Sequence, residues 1–336
     1  MGDQLSVVFY DITTLYFEAS DEDDFRATGF SKDGKARNPQ ILLGLLVGIK
    51  GYPIGYEVFE GNKFEGHTLI PVLEHFQAKF NLSKPIVIAD AGLLSNENVK
   101  ALRSKQYQFI LGARIKNESE KIKKQILKDP FTDGSTKVLS KRDGLRLVVS
   151  YSQKRSLRDL RNRERGLRRL EKNMKKGKLT KSHIKNRGYN KYLRLQGDIK
   201  IEIDYAKFNQ DNKWDGLKGY LTNTDLSPKE LIDNYNQLWQ IEKAFRISKT
   251  DLRIRPVYHR LRRRIEAHIC VAFTAYTIYK DVEKRLYDKK IPISPARVAD
   301  LTKTMYSIKV KVPETGQWIS IPFKWTKEQE LINKIL

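Results

Sequence analysis

Cysteine is almost absent: Cys270 is the only one in 336 residues. That excludes an internal disulfide and a cysteine-rich zinc site, and it leaves Cys270, within "HICVAFTAY", as a small apolar residue expected to be buried. Histidine is scarce too, with five in the chain, and His259 and His268 show no metal-ligand spacing with Cys270. Long apolar runs are missing. The longest, such as "ILLGLLVGI" (41–49), falls far short of the ~20 residues that span a bilayer. The N-terminus "MGDQLS" has no basic segment followed by an apolar one, so no secretory leader is read there. No phosphate-binding glycine loop is present, because "GAR" and "GLLVGIKG" lack the strand–loop–helix context and the Lys-Ser/Thr ending. Acids are the last shortage: 40 Asp and Glu stand against 64 Lys and Arg, a formal charge of +24. A globular chain so unbalanced points to a polyanionic partner, most simply nucleic acid, in a soluble intracellular protein.

What is present is a chain long enough for one large domain carrying an insertion, with 40% hydrophobic residues to build a core. Residues 5–17 read as a strand, and "PQILLGLLVGIKGYPIGYEVFEGN" (39–62) as two more joined by a "KGYP" turn. "HTLIPVLEHFQAKF" (67–80) has apolar residues at helical spacing. "KPIVIADAG" (84–92) is a short buried strand, "SNENVKALRSK" a helix capped by Ser95, and "YQFILGARI" (107–115) a further strand.

Beyond residue 115 the pattern changes. "KVLSKRDGLRLVVSYS" predicts a hairpin turning at Asp143-Gly144. Residues 153–194 read as helical and hold 17 Lys and Arg against 3 acids. "DIKIEIDYAKF" and "LKGYLTNTD" read as strands. One long helix is then expected over "DLSPKELIDNYNQLWQIEKAFRISKTDL", started by Ser227 as N-cap, Pro228 at the first helical position and Glu230 closing a capping box. "EAHICVAFTAYTIY" (266–279) reads as a core helix.

The order of three antiparallel strands followed by alternating helices and strands predicts an α/β fold. Specifically, it predicts an RNase H-like mixed sheet flanked by helices, with a basic α+β insertion ahead of the helix carrying a catalytic Glu. The expected domains are a discontinuous core (1–115 and 216–285), the insertion (116–215) and a helical or extended C-terminal tail (286–336).

Three acids sit where such a fold does chemistry. Asp11 lies mid-strand in "VVFYDITTLYFE", where both faces are otherwise apolar, and an ionised carboxylate leaves water only when paired or bound to metal. Asp90 ends "IVIAD" ahead of Ala91-Gly92, and Glu242 lies in "LWQIEKAF". Each has an ordinary alternative: backbone capping for Asp11, turn formation for Asp90, and an i,i+4 pair with Arg246 for Glu242. Together, in so basic a chain, they predict converging carboxylates that bind Mg²⁺ or Mn²⁺, two ions in all. Tyr235, Glu242 and Lys249 recur at intervals of seven, which on one helix is a single stripe.

These residues resemble a known family. The helix reads Y-NQ-L-WQI-E-KAFRIS-K, and this is similar to the Tyr-x2-Arg-x3-Glu-x6-Lys ("YREK") signature of DDE transposases of bacterial insertion sequences, the IS-four type. Leu238 stands at the Arg position. The resemblance extends through "FYDITTLYF", "ADAGLLS" and "RIRPVYHRLRRRIEAHICVAF", about residues 5–285. It implies metal-dependent DNA cleavage and strand transfer at element ends. Asp11, Asp90 and Glu242 would be the catalytic, metal-binding residues, and Tyr235 and Lys249 DNA contacts, with Arg246 a partial substitute for the missing Arg. It further implies transposon-end and target DNA as partners, a homodimer in the synaptic complex and a place with the bacterial nucleoid in the cytoplasm. In the basic segment, Arg158, Arg161, Arg165, Arg168, Lys175 and Lys176 are expected to touch the DNA backbone. Tyr189 and Tyr192 have two readings there, stacking on bases or packing. Only ten residues precede Asp11, so the chain is expected to lack the N-terminal end-binding domain usual in the family. Two alternatives follow: a catalytically silent DNA-binding remnant, and an RNase H-like nuclease without joining activity.

Overall fold

A computed structural model describes residues 7–30, 37–80, 84–185, 188–196 and 200–335. In chain order the first elements are β1 (Val7–Tyr16), β2 (Gln40–Val47), β3 (Pro53–Glu60), α1 (Leu69–Phe80), β4 (Ile86–Ala89), α2 (Asn96–Ser104) and β5 (Phe109–Ala113). There follow α3 (Glu120–Leu127), β6 (Thr136–Ser140), β7 (Arg146–Tyr151), α4 (Gln153–Lys175), β8 (Leu193–Gln196), β9 (Lys200–Ile203), α5 (Tyr205–Gln210) and β10 (Leu217–Thr222). The chain ends with α6 (Pro228–Asn236), α7 (Trp239–Thr250), α8 (Arg262–Asp288), α9 (Pro295–Thr302), β11 (Ser307–Lys311), β12 (Trp318–Pro322) and α10 (Lys327–Asn333). The fold is α/β, strands and helices in the RNase H-like order expected. It divides into two compact units, residues 1–88 with 236–336 and residues 89–235.

The first unit is built on the predicted meander, with strand order β3-β2-β1-β4. β1 and β2 pair antiparallel with Asp11 opposite Leu45 and Ile12 opposite Gly44. All eight residues of β2 are buried, and so is every residue of β1 except Asp11 and Tyr16. Both faces are therefore covered, as the continuous apolar runs require. Tyr10 lies wholly buried, and its hydroxyl donates to Thr68 Oγ1 at 2.9 Å. Its ring fills the space beside Gly44, where a Cβ would stand 2.5 Å from the phenolic oxygen. Glycine in the middle of this strand is thus a demand of close packing. The "KGYP" turn is a short 3₁₀ segment in which Lys50 and Gly51 both take positive φ.

Helices α7 and α8 belong to this unit. Tyr276 on α8 donates to the Gly51 carbonyl at 2.8 Å, and Lys243 on α7 bonds Glu283 on α8 at 2.7 Å. Glu283 also pairs with the buried Lys280. Cys270 is exposed, not buried as expected. It falls on the outward side of α8 with Val271, while Ile265, Ile269, Ala272 and Tyr276 face inward.

In the second unit the strand order is β5-β10-β7-β6, all antiparallel. The hairpin expected within the insertion, β6–β7, therefore continues the sheet of β5 and β10. Its turn falls at the predicted place: Asp143 and Gly144 both take positive φ, in the loop Arg142–Gly144, closed by the Lys141 amide on the Leu145 carbonyl at 2.8 Å. The helical expectation for 153–194 holds for α4 alone. Past it come short 3₁₀ turns and β8, which pairs with β9. "DYAKF", expected as strand, starts α5 instead, because Asp204 accepts from the Lys207 amide at 2.8 Å and caps a helix.

The long helix expected from residue 227 is two helices. Its start is as predicted: Glu230 accepts from the Ser227 amide at 3.0 Å, and the Glu230 amide donates back to Ser227 at 3.3 Å. The break falls at Gln237–Leu238, where the amides of Gln240 and Ile241 reach back three residues instead of four. The division between the units runs between Tyr235 and Asn236, at this same place.

Candidate active site

β1 places Asp11 in the first unit as the single partly exposed residue inside an otherwise buried stretch from Val7 to Leu15. Its carboxylate accepts from the Ile12 amide at 2.7 Å. Glu242 belongs to the same unit, in the first turn of α7, and is exposed. The helix buries Ile241, Ala244, Phe245, Ile247 and Ser248, which leaves the face bearing Glu242 and Arg246 to solvent. Neither forms an ion pair among the described residues, so the i,i+4 pair does not form. An acid in the first helical turn is favoured by the partial positive charge of the helix start.

Asp90 belongs to the second unit. It follows β4 directly, is exposed, and accepts from the Gly92 amide at 2.8 Å. The turn is tight: a Cβ on Gly92 would lie 2.9 Å from the Asp90 carboxylate. Asp90 therefore forms the turn and still presents carboxylate oxygen to solvent. Among the described residues, no group of three or more His, Cys, Asp or Glu side chains is gathered closely enough to hold a metal ion.

Tyr235 is buried in the second unit. Its ring meets Tyr220 edge-on with centroids 4.9 Å apart, and the Lys218 ammonium sits 4.3 Å from its ring centre. Because the helix breaks after Asn236, the stripe of Tyr235, Glu242 and Lys249 is not carried by one helix. Glu242 and half-buried Lys249 share α7, and Leu238 is buried at the break.

The basic residues named on α4 are all exposed: Arg158, Arg161, Arg165, Arg168 and Lys175, with Lys176 just past its end. None has a carboxylate partner among the described residues, and Arg165 bonds only Asn162. Arg163, not singled out in the sequence, has a different part. It is buried, donates to the Phe208 carbonyl at 2.8 Å and to Asp215 at 2.6 Å, and lies over the Phe208 ring. Burial pushes the Asp215 carboxyl up, against the pull of Arg163. The i,i+3 and i,i+4 spacing of arginines on one face with Leu167 and Leu170 behind them was the available signal for which arginines stay outside. Tyr189 and Tyr192 take their packing reading. Tyr192 is buried, edge-on to Phe208, and Tyr189 occupies the space a Cβ on Gly166 would need. The Tyr192 hydroxyl donates to Asp211 at 2.8 Å, and burial drives this phenol far above its usual range.

Comparison with known proteins places this arrangement. The structure resembles a piggyBac transposase synaptic complex with hairpin DNA, with a TM-score of 0.50 at 10% identity over 90% of this chain. The chain spans about half of that protein, covering 53% of it. A second similarity, to the Marinitoga piezophila Argonaute in complex with a 5′-hydroxyl guide RNA, has a TM-score of only 0.26 at 11% identity, over 69% of this chain and 26% of that one. No curated protein matches. The fold is thus of the class shared with DDE transposases. The chain itself belongs to the family described as "Transposase DDE domain", which matches residues 3–278. Asp11, Asp90 and Glu242 all fall inside that span. No helix among the described residues is long and apolar enough to cross a membrane.

Proposed function

We propose that this chain is the catalytic domain of a DNA transposase of the IS-four type, cutting DNA at insertion-sequence ends and joining the cut strand to a target. The observation that carries the reading is the family match across 3–278, with an acid at each expected place inside it. Asp11 is the one partly exposed residue between Val7 and Leu15, Asp90 is an exposed carboxylate just beyond β4, and Glu242 is an exposed acid in the first turn of α7 with no ion pair among the described residues.

The donor chemistry of this set suits a hard divalent cation, since all three offer carboxylate oxygen and none offers sulfur or imidazole. Asp11, Asp90 and Glu242 would hold Mg²⁺ or Mn²⁺, two ions in the working complex. Such ions, when bound, activate a water or 3′-hydroxyl and stabilise the leaving oxygen. The chain's own residues hold the carboxylates in place. The β1–β2 pairing fixes Asp11, the Gly92 amide orients Asp90, and the buried face of α7 sets Glu242 outward.

The DNA partner is supported by the +24 charge and by Arg158, Arg161, Arg165, Arg168 and Lys175 of α4, exposed and without a carboxylate partner among the described residues. The matched structure is a transposase synaptic complex with hairpin DNA, and a homodimer in such a complex is part of the proposal for this chain. Lys249 and Arg246 on α7 are the phosphate contacts nearest Glu242 in sequence. Leu238, buried, supplies none.

Asp90→Asn tests the reading. End-labelled duplex carrying the element's terminal repeats is incubated with wild type and variant, with and without Mg²⁺ or Mn²⁺. Wild type cuts only with metal, and the variant binds the duplex as wild type does but does not cut. A variant that still cuts removes Asp90 from the catalytic set. A wild type that binds and never cuts leaves a DNA-binding remnant.

A further inference from the structure

From just past α7 into the first turn of α8 the sequence "LRIRPVYHRLRRR" (252–264) contains six arginines, no lysine and no acid. This segment belongs to the first unit, and it is separate from the basic α4 region of the second. Arg253, Arg260, Arg262, Arg263 and Arg264 are exposed, and Tyr258 between them is 78% exposed. Arg262 is held: it bonds Glu266 at 2.8 Å and its guanidinium sits 4.5 Å from the centre of the Phe25 ring. Arg253, Arg260, Arg263 and Arg264 have no carboxylate partner among the described residues.

The local chemistry of α8 makes this cluster costly to keep. Its N-cap is Leu261, which offers no side-chain acceptor to the free amides. No acid lies in its first turn, and Arg262, Arg263 and Arg264 fill that turn with positive charge at the positive end of the helix dipole. Ser95, Ser119, Ser152, Ser294 and Thr326 cap other helices, and α7, which also starts at an uncapped leucine, Leu238, carries Glu242 in its first turn. A start that violates cap, charge and repulsion preferences together is the kind of local inconsistency expected where another molecule supplies the missing anion.

We propose that Arg260, Arg263 and Arg264, with Tyr258 beside them, form a second DNA-backbone surface on the first unit, independent of α4. The proposal rests on the DNA-transposase reading above. The exclusive use of arginine specifies the ligand chemistry. A guanidinium fork takes two oxygens of one phosphate in fixed geometry, which an ammonium does not. The uncapped amides at the start of α8 add to the attraction for phosphate. Arg262, tied to Glu266 and Phe25, anchors the turn that presents the other three.

The test compares the full chain with the triple variants Arg260→Ala/Arg263→Ala/Arg264→Ala and Arg260→Lys/Arg263→Lys/Arg264→Lys. Binding to a fluorescent 30-bp duplex of arbitrary sequence is followed from low to moderate salt, alongside thermal unfolding. Each phosphate contact contributes about −0.9 to the slope of log K against log salt, so the alanine variant should lose roughly 2 to 3 from the slope. Its Tm should equal or exceed that of wild type, because repulsion at the start of α8 is relieved. The lysine variant should keep the slope and bind several-fold more weakly. A slope unchanged in the alanine variant, while loss of the α4 arginines flattens it, overturns the second surface and leaves the DNA reading intact. A wild type with no salt-dependent binding overturns both. A lysine variant as tight as wild type overturns the forked contact.

Discussion

Replacing Glu283 by glutamine isolates the tie between α7 and α8. Glu283 accepts from Lys243, the residue after Glu242, at 2.7 Å, and pairs with Lys280, whose side chain is only 6% exposed. Removing one member of a buried ion pair costs ~3–5 kcal/mol, because the other is left as an uncompensated charge. Two features reduce that figure. Glu283 is itself 30% exposed, and the amide oxygen of glutamine still accepts a hydrogen bond, so about 2 kcal/mol is expected. For a unit of this size that corresponds to a fall in Tm of about 4–8 °C at pH 7. The pH dependence supplies a second check. Burial pushes the Glu283 carboxyl up, but the hydrogen bonds and charges of Lys243 and Lys280 together outweigh it and hold it below its ordinary value. A depressed folded pKa means the stabilisation is complete above the unfolded value of about 4.3 and is lost as pH falls through the folded one. The gap between wild type and Glu283→Gln should thus be full at pH 7 and close under acid, where a protonated glutamic acid and a glutamine are nearly the same group. Differential scanning calorimetry across pH 3–8 measures it. A gap that stays constant down to pH 3 would refute the ion-pair origin, and a shift below 1 °C at pH 7 would remove the clamp altogether.

Gly44→Ala should destabilise the first unit by about 1–3 kcal/mol, the cost of overpacking, since its Cβ would meet the buried Tyr10 hydroxyl at 2.5 Å; a melting curve at wild-type Tm contradicts this. Arg163→Ala should cost about 3 kcal/mol by leaving Asp215 unpaired, while the exposed Arg165→Ala should stay within ~0.5 kcal/mol; urea unfolding of both tells them apart. The quadruple change of Arg158, Arg161, Arg165 and Arg168 to alanine should flatten the salt dependence of DNA binding by about 3 to 4, and an unaltered slope would mean that α4 does not face DNA.

Much of the framework was legible because local chemistry and tertiary structure agree. The meander from β1 to β3 follows from unbroken apolar runs divided by Gly51 and Pro53. The β6–β7 turn follows from Asp143-Gly144, and the start of α6 from Ser227, Pro228 and Glu230. What was not legible lacked a local mark. No glycine or proline stands at Gln237–Leu238, so nothing in the residues announced that the helix ends and restarts, and the heptad interval from Tyr235 to Glu242 could only be read as one stripe. Asp204 signals a cap as well as a turn, and "KIEIDYAKF" alternates well enough to extend a strand over α5. The pairing of β7 with β10 joins residues about seventy apart through contacts that no short window contains. For Asp90 the sequence held two readings, turn former and metal ligand, and the structure shows the turn, with the Gly92 amide donating to its carboxylate.

The first turn of α8 also has a consequence for engineering. An aspartate in place of Leu261 would cap the helix for about 1 kcal/mol, and an acid in place of Arg263 would add about 0.3–1 kcal/mol through the helix dipole. A directed-evolution campaign scored on heat resistance alone would therefore be drawn to these positions early, and it would replace arginines one by one with residues that suit an isolated helix. A parallel campaign scored on retention by immobilised duplex would hold the same positions unchanged. Sequencing the survivors of the two would separate what this turn contributes to the folded chain from what it contributes to the molecule the chain holds.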